Sequence, residues 1–166
     1  MMNALRLLLE DLMRNLNEVA KEHVEEHGGH PPVLFLLKKD SDEPEVVQLH
    51  EYIDDKDLMG SMMQAYRTDP TVLASVFLSE AWTVQYAKDS PEAKRIDEGF
   101  GPPCQPSESP DREEILFYLA ETPGGNMSAS APIIRNGKKT TVGPLKIMPP
   151  NGTEYRGRLT GNLFNP

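Results

Sequence analysis

At 166 residues, with 38% hydrophobic content, the chain suffices for one core of ordinary size and carries too little apolar sequence for two. Its 17 Lys and Arg against 26 Asp and Glu leave a net charge of −9. That charge opposes attraction to phosphate backbones and anionic membranes, so nucleic acid and membrane are excluded as main partners.

The N-terminal run Met1–Leu9 is interrupted by Arg6 and stopped by Glu10 and Asp11, too early for the apolar core of an export signal. No uncharged run reaches bilayer length. The one cysteine, Cys104, lies in a Pro-rich stretch without an adjacent His, reads as an incidental thiol, and fits a reducing, cytoplasmic setting.

From Asn3 to His27, apolar residues fall at Leu5, Leu8, Leu9, Leu12, Leu16, Val19, Ala20 and Val24. This three-and-four spacing predicts an amphipathic helix, ended by Gly28-Gly29 and kept from resuming by Pro31-Pro32. Val33–Leu37 is a short apolar run suited to a strand buried on both faces, and Val46–His50 reads as its return across Ser41–Pro44. Asp54 or Asp55 caps a second helix whose Leu58, Met59, Met62, Met63 and Tyr66 share a face until Asp69-Pro70. The three methionines there read as core.

Val72–Tyr86 carries a period of two, with Val72, Ala74, Val76, Leu78, Trp82, Val84 and Tyr86 on one face. Glu80 breaks that face, and a bulge at Ser79-Glu80-Ala81 is expected to turn it outward. Ile115–Ala120 is the expected partner strand, followed by a hairpin of Met127–Arg135 and Lys138–Ile147 across Asn136-Gly137, a favoured pair for a type I′ turn. Pro132 and Pro144 place these last strands at an edge or beside bulges.

Residues 88–112 show no periodicity and read as a long irregular loop within a single α+β domain spanning 1–148. Residues 149–166 read as an irregular tail, in which Tyr155, Arg156 and Arg158 are solvated. The expected fold is α+β, a central antiparallel sheet of about five to six strands with two helices in the order α-β-β-α-β-β-β-β.

His23-Val24-Glu25-Glu26-His27 matches H-x-x-E-H, the zinc motif of the inverted zincins. On a helix, His23 and His27 share a face, with Glu26 placed to activate water, so His23, Glu26 and His27 are the candidate metal residues and zinc the candidate cofactor. The acidic ligand on a downstream helix that such peptidases need has no recognisable counterpart. The bland alternative is a pair of histidines compensating the negative end of a helix dipole. Glu80, if it points inward, forms with Trp82 and the 88–112 loop the best ligand-binding candidate. No phosphate-binding loop, dinucleotide fingerprint, nucleophile elbow or paired C-x-x-C occurs, so no catalytic residue is assigned.

Ser79-Glu80-Ala81-Trp82, followed by Pro106–Leu116, resembles proteins of bacteria and their phages whose function is unknown, and the resemblance implies a discrete domain without implying an activity. The element order is similar to that of profilin and roadblock architectures, which implies a platform for binding or dimerisation. A non-enzymatic interaction or structural domain, pairing with a protein partner or itself, is the leading expectation. A small metal-dependent hydrolase and a small-ligand sensor are the alternatives.

Overall fold

The computed structural model describes residues 3–52, 54–87 and 89–148. The expectations for 149–166 lie outside the described residues.

The first helix, α1, runs Asn3–His27 as its spacing predicts. It buries Leu9, Met13, Asn17, Ala20 and Val24, a line that winds along one side of the helix at intervals of three or four. Gly28 then takes a φ of +81°, the left-handed cap that ends a helix at little cost only for glycine.

Two strands follow, β1 (Val33–Lys38) and β2 (Glu45–Gln48), paired antiparallel with Phe35 opposite Val46. The second helix, α2 (Lys56–Thr68), starts at Asp55, whose carboxylate accepts from the Leu58 N–H at 2.9 Å. Its Met59 and Met63 are buried and Met62 packs against them. As expected, this cluster is core.

Strand β3 spans Val72–Thr83, so Val84 and Tyr86 fall beyond its end. Its register against β1 slips where Leu37 pairs with Ala74 and Lys38 with Val72. Leu73 is the extra residue, and the bulge there turns Val72 to the opposite face from Ala74, Val76 and Leu78. The expected bulge at Ser79-Glu80-Ala81 is absent, because those residues pair in unbroken register with Phe117, Leu116 and Ile115 of β4 (Glu113–Thr122).

The hairpin β5 (Gly125–Asn136) and β6 (Lys139–Val142) turns on Gly137 and Lys138, since Asn136 pairs with Lys139. Gly137 has φ +61° and no described non-glycine residue has positive φ. The turn is therefore not the expected type I′, which needs positive φ at both central positions; a leading glycine suits type II′. A short β7 (Lys146–Ile147) pairs with β5 at Ala129 and Ser130. Pro132 sits where the outer neighbour of β5 changes from β7 to β6, the gap in which a missing N–H costs no ladder bond.

The sheet order is β2-β1-β3-β4-β5-β6, all pairs antiparallel, with β7 also on β5. Each face carries its own core. Under α1 lie Val33, Ala74, Val76, Leu78, Leu116, Tyr118, Ala120, Met127, Ala129, Ala131, Ile133 and Val142. Under α2 lie Leu34, Leu36, Val72, Phe77, Ile115, Phe117 and Leu119. The α+β class and antiparallel sheet stand as expected, and the count of two helices is corrected by a third, α3 (Pro91–Asp97), inside the stretch read as irregular. Ser90 caps it by accepting from the Ala93 N–H, and Pro91 stands at a first-turn position that favours proline. A 3₁₀ turn at Pro106–Glu108 precedes β4.

Candidate functional site

The alternation of β3 and its unbroken register put Glu80 and Trp82 on the α1 face of the sheet, just past the end of that helix. Glu80 is half-buried, and its Oε1 accepts from the His30 backbone N–H at 2.7 Å. Gly29 lies close by: a Cβ there would stand 2.9 Å from the same oxygen, and the flexible Glu80 side chain would have to shift to admit it. The carboxylate that interrupts an apolar strand face is thus matched to a backbone donor on the segment leaving α1.

Beside it, Arg135 from β5 donates through Nε to Glu114 Oε2 at 2.7 Å and through Nη2 to the other carboxylate oxygen. Its Nη1 donates to the Gly28 carbonyl at 2.8 Å. A cation at that carbonyl meets the negative end of the α1 dipole, and the two-pronged pair with Glu114 fixes the guanidinium in place. Trp82, opposite Glu114 in register, is 44% exposed and lies under the Arg112 guanidinium, 4.7 Å from the ring centre.

The three histidines of this region also meet here. The His23 and His27 rings stack with centres 4.4 Å apart and planes 19° apart, and His30 meets His23 edge-on at 5.2 Å. His27 Nδ1 lies 3.1 Å from the His23 carbonyl and His30 Nδ1 2.7 Å from the Pro31 carbonyl, so each ring donates there in the Nδ1–H tautomer. Burial, followed by the neighbouring His23, holds the His30 ring below its ordinary pKa, against the opposing pull of the Pro31 carbonyl and Glu80. Glu26 is exposed, with its carboxylate 4.0 Å from His27 Nδ1. Among the described residues, no group of three or more His, Cys, Asp or Glu side chains is arranged to hold a metal ion.

The structure therefore brings the two candidate sets, His23–His27 and Glu80–Trp82, to one end of α1, joined through His30. Sequence reasoning missed Arg135 and Glu114, which lie on neighbouring strands 21 positions apart and show no local pattern.

A second feature lies along α1 itself. Leu8 and Val19 are eleven residues apart, close to three full turns, and so share one side of the helix. They are 54% and 67% exposed, and Leu5, Leu12 and Leu16 beside them are only partly covered. On the opposite flank, Glu25 Oε1 accepts from the Val142 N–H of β6 at 3.2 Å, so the open flank is the one turned toward β1 and β2. There the sheet shows Phe35 and Leu37, partly buried, and Val46, 52% exposed on the edge strand and on the same face as Phe35. The apolar stripe read from the sequence is wider than the face of α1 that the sheet covers, and Leu8 and Val19 are left exposed.

No family model matches this chain, and neither the curated proteins nor the solved structures provide a match. No described helix is long and apolar enough to cross a membrane.

Proposed function

We propose that this chain is an interaction domain that holds a protein partner along the open flank of α1, beside β2, the edge strand of the sheet among the described residues. The observation that carries the reading is the exposed pair Leu8 and Val19 along one flank of α1, with the partly buried Leu12 between them and Val46 exposed on the same face of the sheet. An exposed apolar strip of this kind is what a folded protein keeps for a partner. The polar junction at the end of α1 supports the same reading. Glu80, Glu114 and Arg135 are engaged by the chain's own backbone and side chains, and the stacked imidazoles resemble a helix terminus more than a hydrolytic centre.

The test is site-specific photo-crosslinking of the full chain in the organism that encodes it. A photoreactive residue at Val19 is compared with one at Lys21, on the far side of the helix. A protein adduct at 19 that is absent at 21 and abolished by Leu8→Ser is the expected outcome. Equal adducts at both positions, or none at 19, would refute the reading.

A further inference from the structure

The charges around the open flank of α1 are one-sided. Asp11 and Glu22 stand on the solvent side of the Leu8–Val19 line and Glu26 continues that line toward the end of the helix, all exposed, whereas Arg14 and Lys21 lie around the helix toward the β6 side, and Arg6 is held by Glu10 at 2.9 Å. The whole chain adds to this field with its net charge of −9. A second copy of the same chain would set acidic rim against acidic rim.

We infer that the occupant of this flank is an amphipathic helix of a partner protein, apolar on the side laid against Leu8, Leu12 and Val19 and basic on its outward side. This rests on the interaction reading above and names the partner's chemistry. From Leu8 to Val19 the strip is about 17 Å long, eleven residues at 1.5 Å each, so three turns of a partner helix cover it. Apolar anchors at i, i+4 and i+7 pack on Leu8, Leu12 and Val19, and Lys or Arg on the flank reach Asp11, Glu22 and Glu26. Contacts of that kind speed encounter and select against acidic partners, while the apolar anchors supply most of the affinity.

The experiment uses the full chain and two labelled peptides of about 14 residues, long enough for the strip. Both have the same leucine stripe, one with lysines and the other with glutamates on the polar positions. Fluorescence anisotropy is expected to show the lysine peptide binding at least tenfold more tightly than the glutamate peptide. Its affinity falls several-fold between about 50 and about 500 mM salt. The uncharged pair Leu8→Ser and Val19→Ser reduces its binding at least tenfold, and Glu22→Lys with Glu26→Lys narrows the preference between peptides.

Four results overturn the inference. Lysine-peptide binding that ignores the serine pair marks unspecific attraction to an acidic protein. Light scattering that shows a dimer dissolved by the same pair makes a second copy the occupant. Tighter peptide binding after Leu159→Asp and Leu163→Asp makes the chain's own C-terminal segment the occupant. If the peptides fail to discriminate while the photo-adduct at Val19 persists, the basic chemistry is lost and the interaction reading stands.

Discussion

Removing one hydroxyl, by Tyr118→Phe, tests what fixes the rotation of α1 and hence which of its flanks stays open. The Tyr118 hydroxyl donates to Asn17 Oδ1 at 2.9 Å, and the two residues are 0% and 4% exposed. This bond crosses from the sheet to the middle of α1, 101 positions away in sequence. Phenylalanine leaves the ring packed but strands the Asn17 oxygen in a site that water does not reach. A buried acceptor left without its donor costs about 1–3 kcal/mol. At about 2–4 °C per kcal/mol for a chain of this size, the midpoint of that range lowers Tm by about 4–8 °C.

The sign of the double mutant is the sharper measurement. Asn17→Leu with Tyr118→Phe replaces both partners by apolar groups of similar shape, which is nearly neutral in a buried site. The double variant is therefore expected to be more stable than Tyr118→Phe alone, with a coupling of about 0.5–3 kcal/mol by calorimetry or urea unfolding. Strictly additive losses, or a Tyr118→Phe variant as stable as the parent, would refute the account. Burial also raises the Tyr118 phenol far above its ordinary value of 10. Its contribution is complete below pH 10 and is lost as the pH rises past that point, so the parent loses stability there more steeply than Tyr118→Phe.

Two further expectations concern the junction at the end of α1. Glu80→Ala removes the acceptor of the His30 N–H and should cost about 1–2 kcal/mol in urea unfolding, while Glu80→Gln keeps a carbonyl oxygen there and should lose no more than about half as much; an alanine variant of parental stability would show that the bond is idle. His30 titrates below 6.5 in the folded chain, so the unfolded chain binds more protons around and below that pH. The contribution is present above pH 6.5 and is lost as pH falls through the folded value. The parent should therefore gain stability as the pH rises toward 6.5 from the acid side, and His30→Asn should flatten that slope. An unchanged slope would refute this account of His30.

Much of the fold was legible because it rests on local periodicity. The α1 span, the start of α2 at Asp54 or Asp55, the first hairpin and the alternation of Ala74, Val76 and Leu78 all follow from local spacings and capping residues, which short-range geometry imposes on any chain. Ser90-Pro91 was an available signal for α3, a capping residue followed by proline, hidden by the glycines and prolines around it. The bulge at Leu73 and the turn centred on Gly137-Lys138 were not legible, since register is decided by which partner strand arrives and where its own side chains must face.

The same division holds for the site. His23, His27, Glu80 and Trp82 stood out as chemically unusual positions, and the sequence by itself marked one end of α1 and one point on β3. That these are a single place, joined by His30 and closed by Arg135 on Glu114 and Gly28, depends on contacts spanning 21 to 107 positions. No periodicity encodes such contacts. The width of the apolar stripe on α1 was likewise written in the sequence, but how much of it the sheet covers was not. Only the docked helix, turned by Asn17 against Tyr118 and by Glu25 against β6, decided that Leu8 and Val19 stay exposed.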